Sequence, residues 1–568
     1  MTRTHLERCI LAGQGTIKAD LVIKNIGLLD IITGAVVGTD IAIVGDRIVG
    51  THATYDGETV IDGSGRFAVP GFIDTHLHIE SSLLTPLEFD RCVLPYGVTT
   101  AMCDPHEIAN VLGVEGIQYF LDSAMHSIMD IKVNLSSCVP ATPFETAGAN
   151  LEIEDLLPLL KHPKSHGLAE MMNFPGVLNL DPGIIAKLEA FQDGHIDGHV
   201  PLVLGLPLNG YLAAGIRTDH ESTSAAEARE KLAKGVAVLI REGSVCKDLD
   251  QVGEVLDENS SSFVALCTDD RNPLDIAEEG HLDNSIRRLI AKGCPRHHVY
   301  RAASHSAARI FGLRDRGLLA PGWRADIVLV DDLDACSVSD VIAGGRLVTP
   351  ELHAARETVA PVGLTSVKAK PVSAGSFRAE GVPGRNATPV IGVRPGKVIT
   401  FRESAVLAHG PSGALVDLDK DVIKVAVVER HGVNGNIATS FVTGFGLKRG
   451  AIASSVGHDS HNITVVGANE DDMAIAVNRL IAINGGFAVA DGGQITAELA
   501  LPVAGLMSLL PFEQVSQELE VLRAAAKDLG CILPEPFLQV SFLALPVIPH
   551  LKMTDRGLFD VDRFDFVA

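Results

Sequence analysis

The feature that most constrains the fold is the middle section, residues 71–313, where short apolar strands alternate with helices. Eight strand candidates occur there, and most end in polar residues. They are the segments GFIDTHLHIE, GVTTAMCDPHE, IKVNLSSCVPAT, SHGLAEMMNFPG, DGHVPLVLG, AGIRTDHES, VAVLIREGS and FVALCTDDR. Eight strands alternating with helices over about 240 residues predict a (β/α)8 barrel, whose strand carboxyl ends carry the chemistry.

Two strand-rich segments flank this section. Residues 19–70 have the Gly and Asp punctuation of a β-meander, and a similar stretch returns at Gly317–Val348. We therefore expect an α/β protein in which a TIM-type barrel, residues 71–313, carries a small β-domain formed from both flanks, residues 1–70 and 314–350. A Pro-, Gly- and Ser-bearing linker, residues 351–375, then leads to a C-terminal α+β domain, residues 376–568.

Composition disfavours two kinds of partner. The chain has 71 acidic and 47 basic residues, a net charge of −24, which opposes binding to nucleic-acid phosphates. No stretch of about twenty residues is free of polar breaks, so we expect no membrane span. The nine cysteines are scattered and form no C-x-x-C pair, which favours a reduced, cytoplasmic setting.

The first barrel strand carries two histidines on one face. Residues i and i+2 of a strand point the same way, so His76 and His78 both face the barrel mouth. Two neutral imidazoles on a rigid strand make half of a divalent metal site. Because H-x-H pairs are common, two ordinary polar strand residues remain an alternative at this point. Glu80 is expected to lie beyond the ligands.

Four more residues of ligand type lie at other strand ends: Glu170, His199, His220 and Asp269. Each alone has a plainer interpretation as a satisfied polar residue of the core. A buried carboxylate such as Glu170 costs on the order of several kcal/mol unless it is paired or bound to metal. Together the four favour a metal site at the barrel mouth.

These motifs resemble a known family. The chain resembles the amidohydrolase superfamily in four features: H-x-H on strand one, histidines on strands five and six, an aspartate on strand eight, and the split β-domain. A closer resemblance is to the bacterial type of adenine deaminase, and it covers nearly the whole chain. It is carried by PGFIDTHLHIESS, CDPHEIANVLG, GLAEMMNFPGVL, GIRTDHEST, IREGS, TDDRNPLDIAEEGHLD and, in the C-terminal region, GHDSHN.

The resemblance implies a site for two divalent ions, built from imidazoles and carboxylates at the strand ends. The implied ligands are His76, His78 and Asp269 for one ion, His199 and His220 for the other, and Glu170 as the bridge. A carbamylated lysine bridges the metals of many binuclear relatives, but GLAEMM offers Glu170 and no lysine. The expected metal is Mn²⁺, although imidazole and carboxylate ligands also suit Fe²⁺ and Zn²⁺.

The implied reaction is hydrolytic deamination of adenine to hypoxanthine and ammonia, with a metal-activated hydroxide attacking C6. Asp269 would take a proton from that water and deliver it to the leaving amine. N1 of the ring must also gain a proton. Glu107 and His106, at the end of strand two, are the candidates for this step, with Glu221 behind them.

Asp104 and Glu221 are the expected substrate contacts, and each has an alternative. Asp104 would otherwise cap the helix that begins near His106. Glu221 would otherwise orient a ligand imidazole. Arg271 and Asp270 are expected to form a salt-bridged loop.

His458, Asp459 and His461 form an H-D-x-H group in the C-terminal region. We expect them to have a structural role or to act as part of a lid over the barrel, rather than to bind a third metal.

Three alternative functions differ from this one in what they require of the sequence. A different amidohydrolase reaction, on a cyclic amide or an N6-substituted adenine, would use the same metals and differ in the pocket. A metal-free, non-catalytic scaffold conflicts with the complete ligand set. A nucleic-acid base deaminase needs P-C-x-x-C, which is absent although H-x-E occurs at residues 78–80. The expected partners are a small-molecule substrate and, from the family, further copies of the chain in a homo-oligomer.

Overall fold

The computed structural model describes residues 2–379, 387–410 and 413–567. The first flank contains these elements: α1 Arg3–Gly13, β1 Ala19–Leu29, β2 Val36–Val44, β3 Arg47–Gly50, β4 Gly57–Asp62 and β5 Phe67–Pro70. The barrel strands are β6 Phe72–Leu77, β7 Val98–Cys103, β8 Asp130–Leu135, β9 Ser165–Met171, β10 His195–Gly198, β11 Thr218–Asp219, β12 Ala237–Arg241 and β13 Val264–Cys267.

Helices connect these strands along the chain. They are α2 Pro86–Val93, α3 His106–Leu112, α4 Val114–His126, α5 Ile153–Leu156, α6 Phe174–Leu178, α7 Pro182–Phe191, α8 Gly205–Ala213, α9 Ala225–Ala233, α10 Leu249–Val252, α11 Pro273–Glu279, α12 Leu282–Ala291, α13 Arg296–Arg301 and α14 Ala307–Ile310. The second flank follows, with β14 Ile327–Val330, β15 Val338–Ala343, β16 Arg346–Leu347 and α15 Pro350–Ala354.

The two flanks form one sheet, as predicted. Its strand order is β16-β15-β14-β5-β1-β2-β3, with β4 on β1. The join is antiparallel pairing of β14 with β5, which sets Ile327 opposite Pro70 and Val330 opposite Phe67. Buried aliphatic side chains from both flanks, including Ile23, Ile41 and Leu329, pack into one cluster, so neither flank has a complete core alone.

The eight barrel strands form two parallel arcs, β6–β10 and β11–β13. At one seam the Asp269 N–H donates to the His76 carbonyl at 3.0 Å, which ties the end of β13 to β6. At the other seam β10 lies very close to β11, and a Cβ on Gly198 would lie 2.2 Å from the Thr218 oxygen. Glycine is therefore required where the ring closes. The predicted barrel is confirmed.

The fifth strand differs from the sequence prediction in its position. The segment DGHVPLVLG was expected to be the strand, but β10 ends at Gly198 and α8 begins at Gly205. Pro201 has no backbone N–H to donate and cannot continue an inner parallel strand. His199 therefore lies just beyond the strand end, still facing the barrel mouth.

The C-terminal region has these strands: β17 Thr388–Gly392, β18 Phe401–Ala405, β19 His409–Gly410, β20 Gly413–Ala414, β21 Ile423–Val428, β22 Ile437–Thr443, β23 Ala451–Ser454, β24 Ile463–Gly467, β25 Gly486–Asp491, β26 Gln494–Ala500, β27 Leu551–Thr554, β28 Gly557–Asp560 and β29 Asp565–Phe566. Its helices are α16 Glu470–Ala482, α17 Phe512–Asp528 and α18 Pro536–Ser541.

Most of these strands form one mixed sheet in the order β18-β17-β22-β21-β24-β23-β25-β26. Met473, Val477 and Leu480 of α16 pack their apolar face against it. Three segments of this region, the connection between β17 and β18, the loop after β23 and the segment after α18, contribute side chains to a cavity at the barrel mouth. Across the described ranges, no helix combines the length and the apolar character needed to cross a bilayer.

Candidate active site

His76, in β6, and His78, just after the strand ends at Leu77, are fixed in one tautomer by their neighbours. His76 Nδ1 donates to Asp197 Oδ2 at 2.9 Å, and His78 Nδ1 donates to the Asp104 carbonyl at 3.0 Å. Each Nε2 atom therefore keeps its lone pair and points toward the other ligand-type residues. Within the described chain His76 Nε2 is buried and has no hydrogen-bond partner. Both rings are thus prepared to donate to a cation.

Glu170 lies between two pairs of histidines. Its Oε1 atom is 3.3 Å from His78 Nε2 and 3.8 Å from His76 Nε2. Its Oε2 atom is 2.5 Å from His199 Nδ1 and 3.3 Å from His220 Nε2. Burial alone would raise the pKa of this carboxyl, but the surrounding histidines, His199 first, hold it well below its ordinary value. One carboxylate therefore serves both halves of the cluster, one oxygen for each.

The two carboxylate oxygens of Asp269 also contact different neighbours. Oδ1 is 3.3 Å from His78 Nε2, whereas Oδ2 accepts from Arg241 Nη1 at 2.9 Å. Burial opposes ionisation, but the neighbouring His78 ring and the charge of Arg241 keep the pKa of Asp269 well below its ordinary value. Its φ of +55° is left-handed, a conformation that aspartate tolerates better than most residues. The side chain is held as an ion at the mouth.

The cluster fits a divalent cation. His76, His78 and Asp269 offer ligand atoms within 4.8 Å of one another, as do His76, Glu170 and His220. All five side chains are buried, and imidazole nitrogen with carboxylate oxygen is a donor set that first-row divalent metals accept. A cation would use the unpartnered nitrogen lone pairs and neutralise the two carboxylates.

Asp104 and His106 form a tight pair at the start of α3. Asp104 Oδ1 accepts from the His106 backbone N–H at 3.1 Å, and Oδ2 accepts from His106 Nδ1 at 3.0 Å. Both oxygens of Asp104 are in use, although Pro105 and not Asp104 is the N-cap residue of α3. Burial would lower the pKa of His106, but Asp104 and Asp459 raise it well above its ordinary value. The other ring edge of His106 lines the cavity.

Glu107 is fully buried but does not line the cavity. Its Oε1 lies 2.8 Å from Ser81 Oγ, and the Ser81 hydroxyl donates to Asp270, which does line the cavity. Burial raises the pKa of Glu107 well above its ordinary value, and the nearby charges of Glu80 and Asp270 add to the shift. Burial and these charges therefore favour the neutral, proton-bearing form of the carboxyl.

Glu221 lines the cavity and is close to the second pair of histidines. Its Oε1 atom is 3.6 Å from His220 Nε2 and 3.9 Å from His199 Nδ1, and the same oxygen pairs with Arg241. Glu221, His199 and His220 also offer ligand atoms within 4.8 Å. Both interpretations of Glu221, substrate contact and support for a ligand imidazole, fit this position.

Arg241, at the end of β12, was missed as a site residue. Its Nη1 links Glu221 to Asp269, and its Nη2 is 2.8 Å from Asp248. The signal was available, because Arg241 is the polar end of the seventh strand candidate.

The loop after the eighth strand candidate differs in part from the expected salt-bridged loop. Arg271 forms an ion pair with Glu279 at 2.9 Å, but Asp270 does not take part in it. It accepts from Ser81 and faces the cavity instead, because the loop turns back toward β6.

The cavity has two walls. The barrel wall carries the histidines and carboxylates described above. The second wall, which we call the C-terminal wall, consists of Val398, His458, Asp459, Phe542, Leu545 and Ile548. The apolar members were missed because no local pattern in the sequence distinguishes them from core residues.

The H-D-x-H group therefore lies over the barrel mouth. Asn462 Nδ2 donates to the Thr146 carbonyl of a barrel loop at 2.8 Å, which anchors this turn to the barrel. Glu107, His458 and His461 are close enough to suggest a further metal site. However, His461 Nδ1 accepts from the Gly457 N–H at 3.2 Å, so a neutral His461 carries its proton on Nε2 and has no lone pair there. A role in covering the site fits better.

Comparison with known proteins agrees with this architecture. Residues 67–348 match the model of the amidohydrolase family, and residues 397–565 match that of the adenine deaminase C-terminal domain. Adenine deaminase 1 of Rhizobium meliloti (strain 1021) is 63% identical over 564 residues, which cover 99% of each chain. Adenine deaminase of Brucella abortus (strain 2308) is 62% identical over 563 residues, 99% of this chain and 97% of that one.

Among solved structures, a crystal structure of an amidohydrolase overlaps 58% of this chain and 98% of its own, with a TM-score of 0.42 and 16% identity. That overlap adds nothing to the assignment, which rests on the full-length relatives. The chain belongs to the adenine deaminase family.

Proposed function

We propose that this chain hydrolyses adenine to hypoxanthine and ammonia at a centre that holds two divalent ions. The observation that carries the proposal is Glu170, whose two oxygens face different histidine pairs at 2.5–3.8 Å. A carboxylate in that position is suited to bridge two cations. Family membership at 62–63% identity over nearly the whole chain supports adenine as the substrate.

The proposed ligands follow the two faces of Glu170. They are His76, His78 and Asp269 on one side, His199 and His220 on the other, and Glu170 between them. Mn²⁺ is the expected metal, and Fe²⁺ and Zn²⁺ suit the same donors. When bound, the ions would act as Lewis acids that make a water molecule nucleophilic near neutral pH.

Asp269 is proposed to move the proton of the attacking water. Because its pKa is held low, Asp269 is ionised and can accept a proton from a water at the barrel mouth. The same carboxyl can then return the proton to the departing amine. The Arg241 contact at 2.9 Å fixes the orientation of Asp269, so one oxygen stays directed into the cavity.

The proton for N1 is proposed to come from the His106 and Glu107 pair. His106 lines the cavity, and Asp104 behind it favours its protonated form. Glu107 keeps a proton in its buried site and reaches the cavity only through Ser81 and Asp270. His106 is therefore the better placed to contact N1, with Glu107 as a proton store behind it.

Ammonia release is the test of this function. Protein purified from medium with iron chelated and Mn²⁺ supplied is assayed with adenine, and metal content is measured on the same sample. The expected result is rapid turnover with about two ions per chain. Two ions without turnover would redirect attention to cyclic amides and N6-substituted adenines, since the pocket and not the metal centre separates those reactions. Absence of both would favour a non-catalytic scaffold.

The wider setting is also a proposal. We propose that residues 1–70 with 314–350, residues 71–313 and residues 376–568 act as separate domains, joined by residues 351–375. Homo-oligomer formation and a cytoplasmic location stay predictions. The absence of disulfides among the nine cysteines is compatible with a reducing compartment.

A further inference from the structure

We propose that the C-terminal wall supplies a specificity-determining residue: Asp459 accepts a hydrogen bond from the 6-amino group of adenine. This contact rests on the proposed deamination of adenine. It places the recognition of the 6-amino group in a region outside the barrel. It gives the C-terminal region a direct role in choosing the substrate.

Asp459 has one oxygen without a partner. The residue is only 2% exposed. Its Oδ1 is 3.6 Å from His106 Nε2, while Oδ2 is buried and, among the described residues, receives no hydrogen bond. A buried carboxylate oxygen without a donor is costly, the more so when the group is charged. Because Asp459 lines the cavity, a donor on the substrate can satisfy it.

The position of His106 indicates which group of the substrate donates to Asp459. His106 is the proposed contact of N1, and the amino group of adenine is attached to C6, the ring atom next to N1. A carboxylate 3.6 Å from the His106 nitrogen is therefore suitably placed for the amino N–H beside it. Together the two side chains offer a donor and an acceptor, which complement the acceptor N1 and the donor amine of adenine.

The wall is held in place before substrate binds. The His458 N–H donates to the Ser541 carbonyl at 3.1 Å, and the His458 ring stacks on Phe542 with centroids 4.7 Å apart. Lys552 Nζ donates to the carbonyls of Val398 and Phe542, both at 2.9 Å. Phe542, with Leu545 and Ile548, offers an apolar surface for the flat ring.

Asp459 also explains how product would be rejected. Hypoxanthine carries a carbonyl oxygen at C6 where adenine carries the amine. Two acceptors then face each other, which is an unfavourable pair. The same residue that favours the substrate thus weakens the binding of the product.

The test compares adenine with hypoxanthine in Asp459→Asn and Asp459→Ala. The wild-type chain, measured first, must release ammonia from adenine; failure there would remove the proposed function and not this inference alone. In Asp459→Ala we expect kcat/KM for adenine to fall roughly ten- to a hundredfold, mainly through KM, and in Asp459→Asn to fall less, because the amide oxygen can still accept a hydrogen bond. In Asp459→Asn the inhibition constant of hypoxanthine should fall severalfold, because an amide N–H can donate to its carbonyl.

A merely structural role of Asp459 would not weaken adenine binding while it strengthens hypoxanthine binding. Ser460→Ala, in the same turn but outside the cavity, is the matched control and should leave both constants within twofold. Metal content and the thermal midpoint of each variant identify misfolded protein. If Asp459→Asn weakens adenine and hypoxanthine by the same factor, or changes neither, the proposed contact is wrong. Asp459→Ala then gives an independent check, because equal effects on both ligands there would also exclude it.

Discussion

The two walls of the cavity differ in what they lack. On the barrel wall, Glu170 and Asp269 lie among histidines, and His76 Nε2, His199 Nε2 and His220 Nδ1 have no hydrogen-bond partner among the described residues, so this wall is suited to hold cations. On the C-terminal wall, apolar side chains surround Asp459, whose free oxygen is suited to a donor from the substrate. The comparison suggests that strand ends of a rigid barrel carry the chemistry, while an added region selects the molecule.

Asp269→Asn should have the largest effect on the barrel wall. Asparagine cannot accept the proton of the attacking water, so we expect kcat to fall by about 10²–10⁴-fold. Metal content should stay unchanged, since the amide oxygen keeps the shape and the Arg241 contact. Ammonia release and elemental analysis on one preparation measure both. Substantial residual turnover would remove Asp269 from the proton path.

Glu170→Gln tests whether one carboxylate serves both histidine pairs. Loss of the negative charge should lower metal content from about two ions toward one per chain and reduce kcat accordingly. Metal is measured after dialysis against metal-free buffer. A variant that still holds two ions tightly would show that Glu170 is not the bridge.

Glu107→Gln separates proton supply from folding. Because burial keeps Glu107 neutral, an amide of the same shape should be tolerated, and the thermal midpoint should change little. The amide cannot release a proton, so kcat should fall by about tenfold or more. Steady-state rates with adenine measure the change, and His106→Gln should be at least as damaging. An unaffected rate would exclude Glu107 from the N1 step.

Lys552→Met should have the smallest effect; Lys552 supports the C-terminal wall by donating to the carbonyls of Val398 and Phe542. Burial lowers the pKa of Lys552 to about 7 from 10.5. Between these values the unfolded chain binds a proton that the folded chain has released, so Lys552 makes stability rise with pH by at most about 1.4 kcal/mol per pH unit. The variant should lose this slope, as measured by urea midpoints at pH 7 and pH 9. If stability depends on pH equally in the wild-type chain and in Lys552→Met, the lowered pKa of Lys552 is contradicted.

More of the barrel wall than of the C-terminal wall could be predicted from the sequence. The period of two in a strand places His76 and His78 together, and the carboxyl ends of parallel strands necessarily converge, which gathers Glu170, His220 and Asp269. The exact end of β10 was missed because the apolar run after His199 resembles a strand until Pro201 is considered. Burial of Glu107 behind Ser81 could not be predicted, because it depends on how three separate loops pack.

The C-terminal wall had no comparable signal. Phe542, Leu545 and Ile548 resemble ordinary core residues, and their position over the barrel follows from contacts hundreds of residues apart in sequence, such as Asn462 with Thr146. The H-D-x-H group was visible, but its spacing alone left lid, turn and metal site open. Only the Gly457 hydrogen bond to His461 distinguishes them.

The most direct test of the central claim is a titration of the metal-free chain with Mn²⁺, with ammonia release from adenine recorded at each step. The account predicts that activity rises with added metal and stops rising at about two ions per chain. Full activity at one ion, or two bound ions with no ammonia, would contradict it.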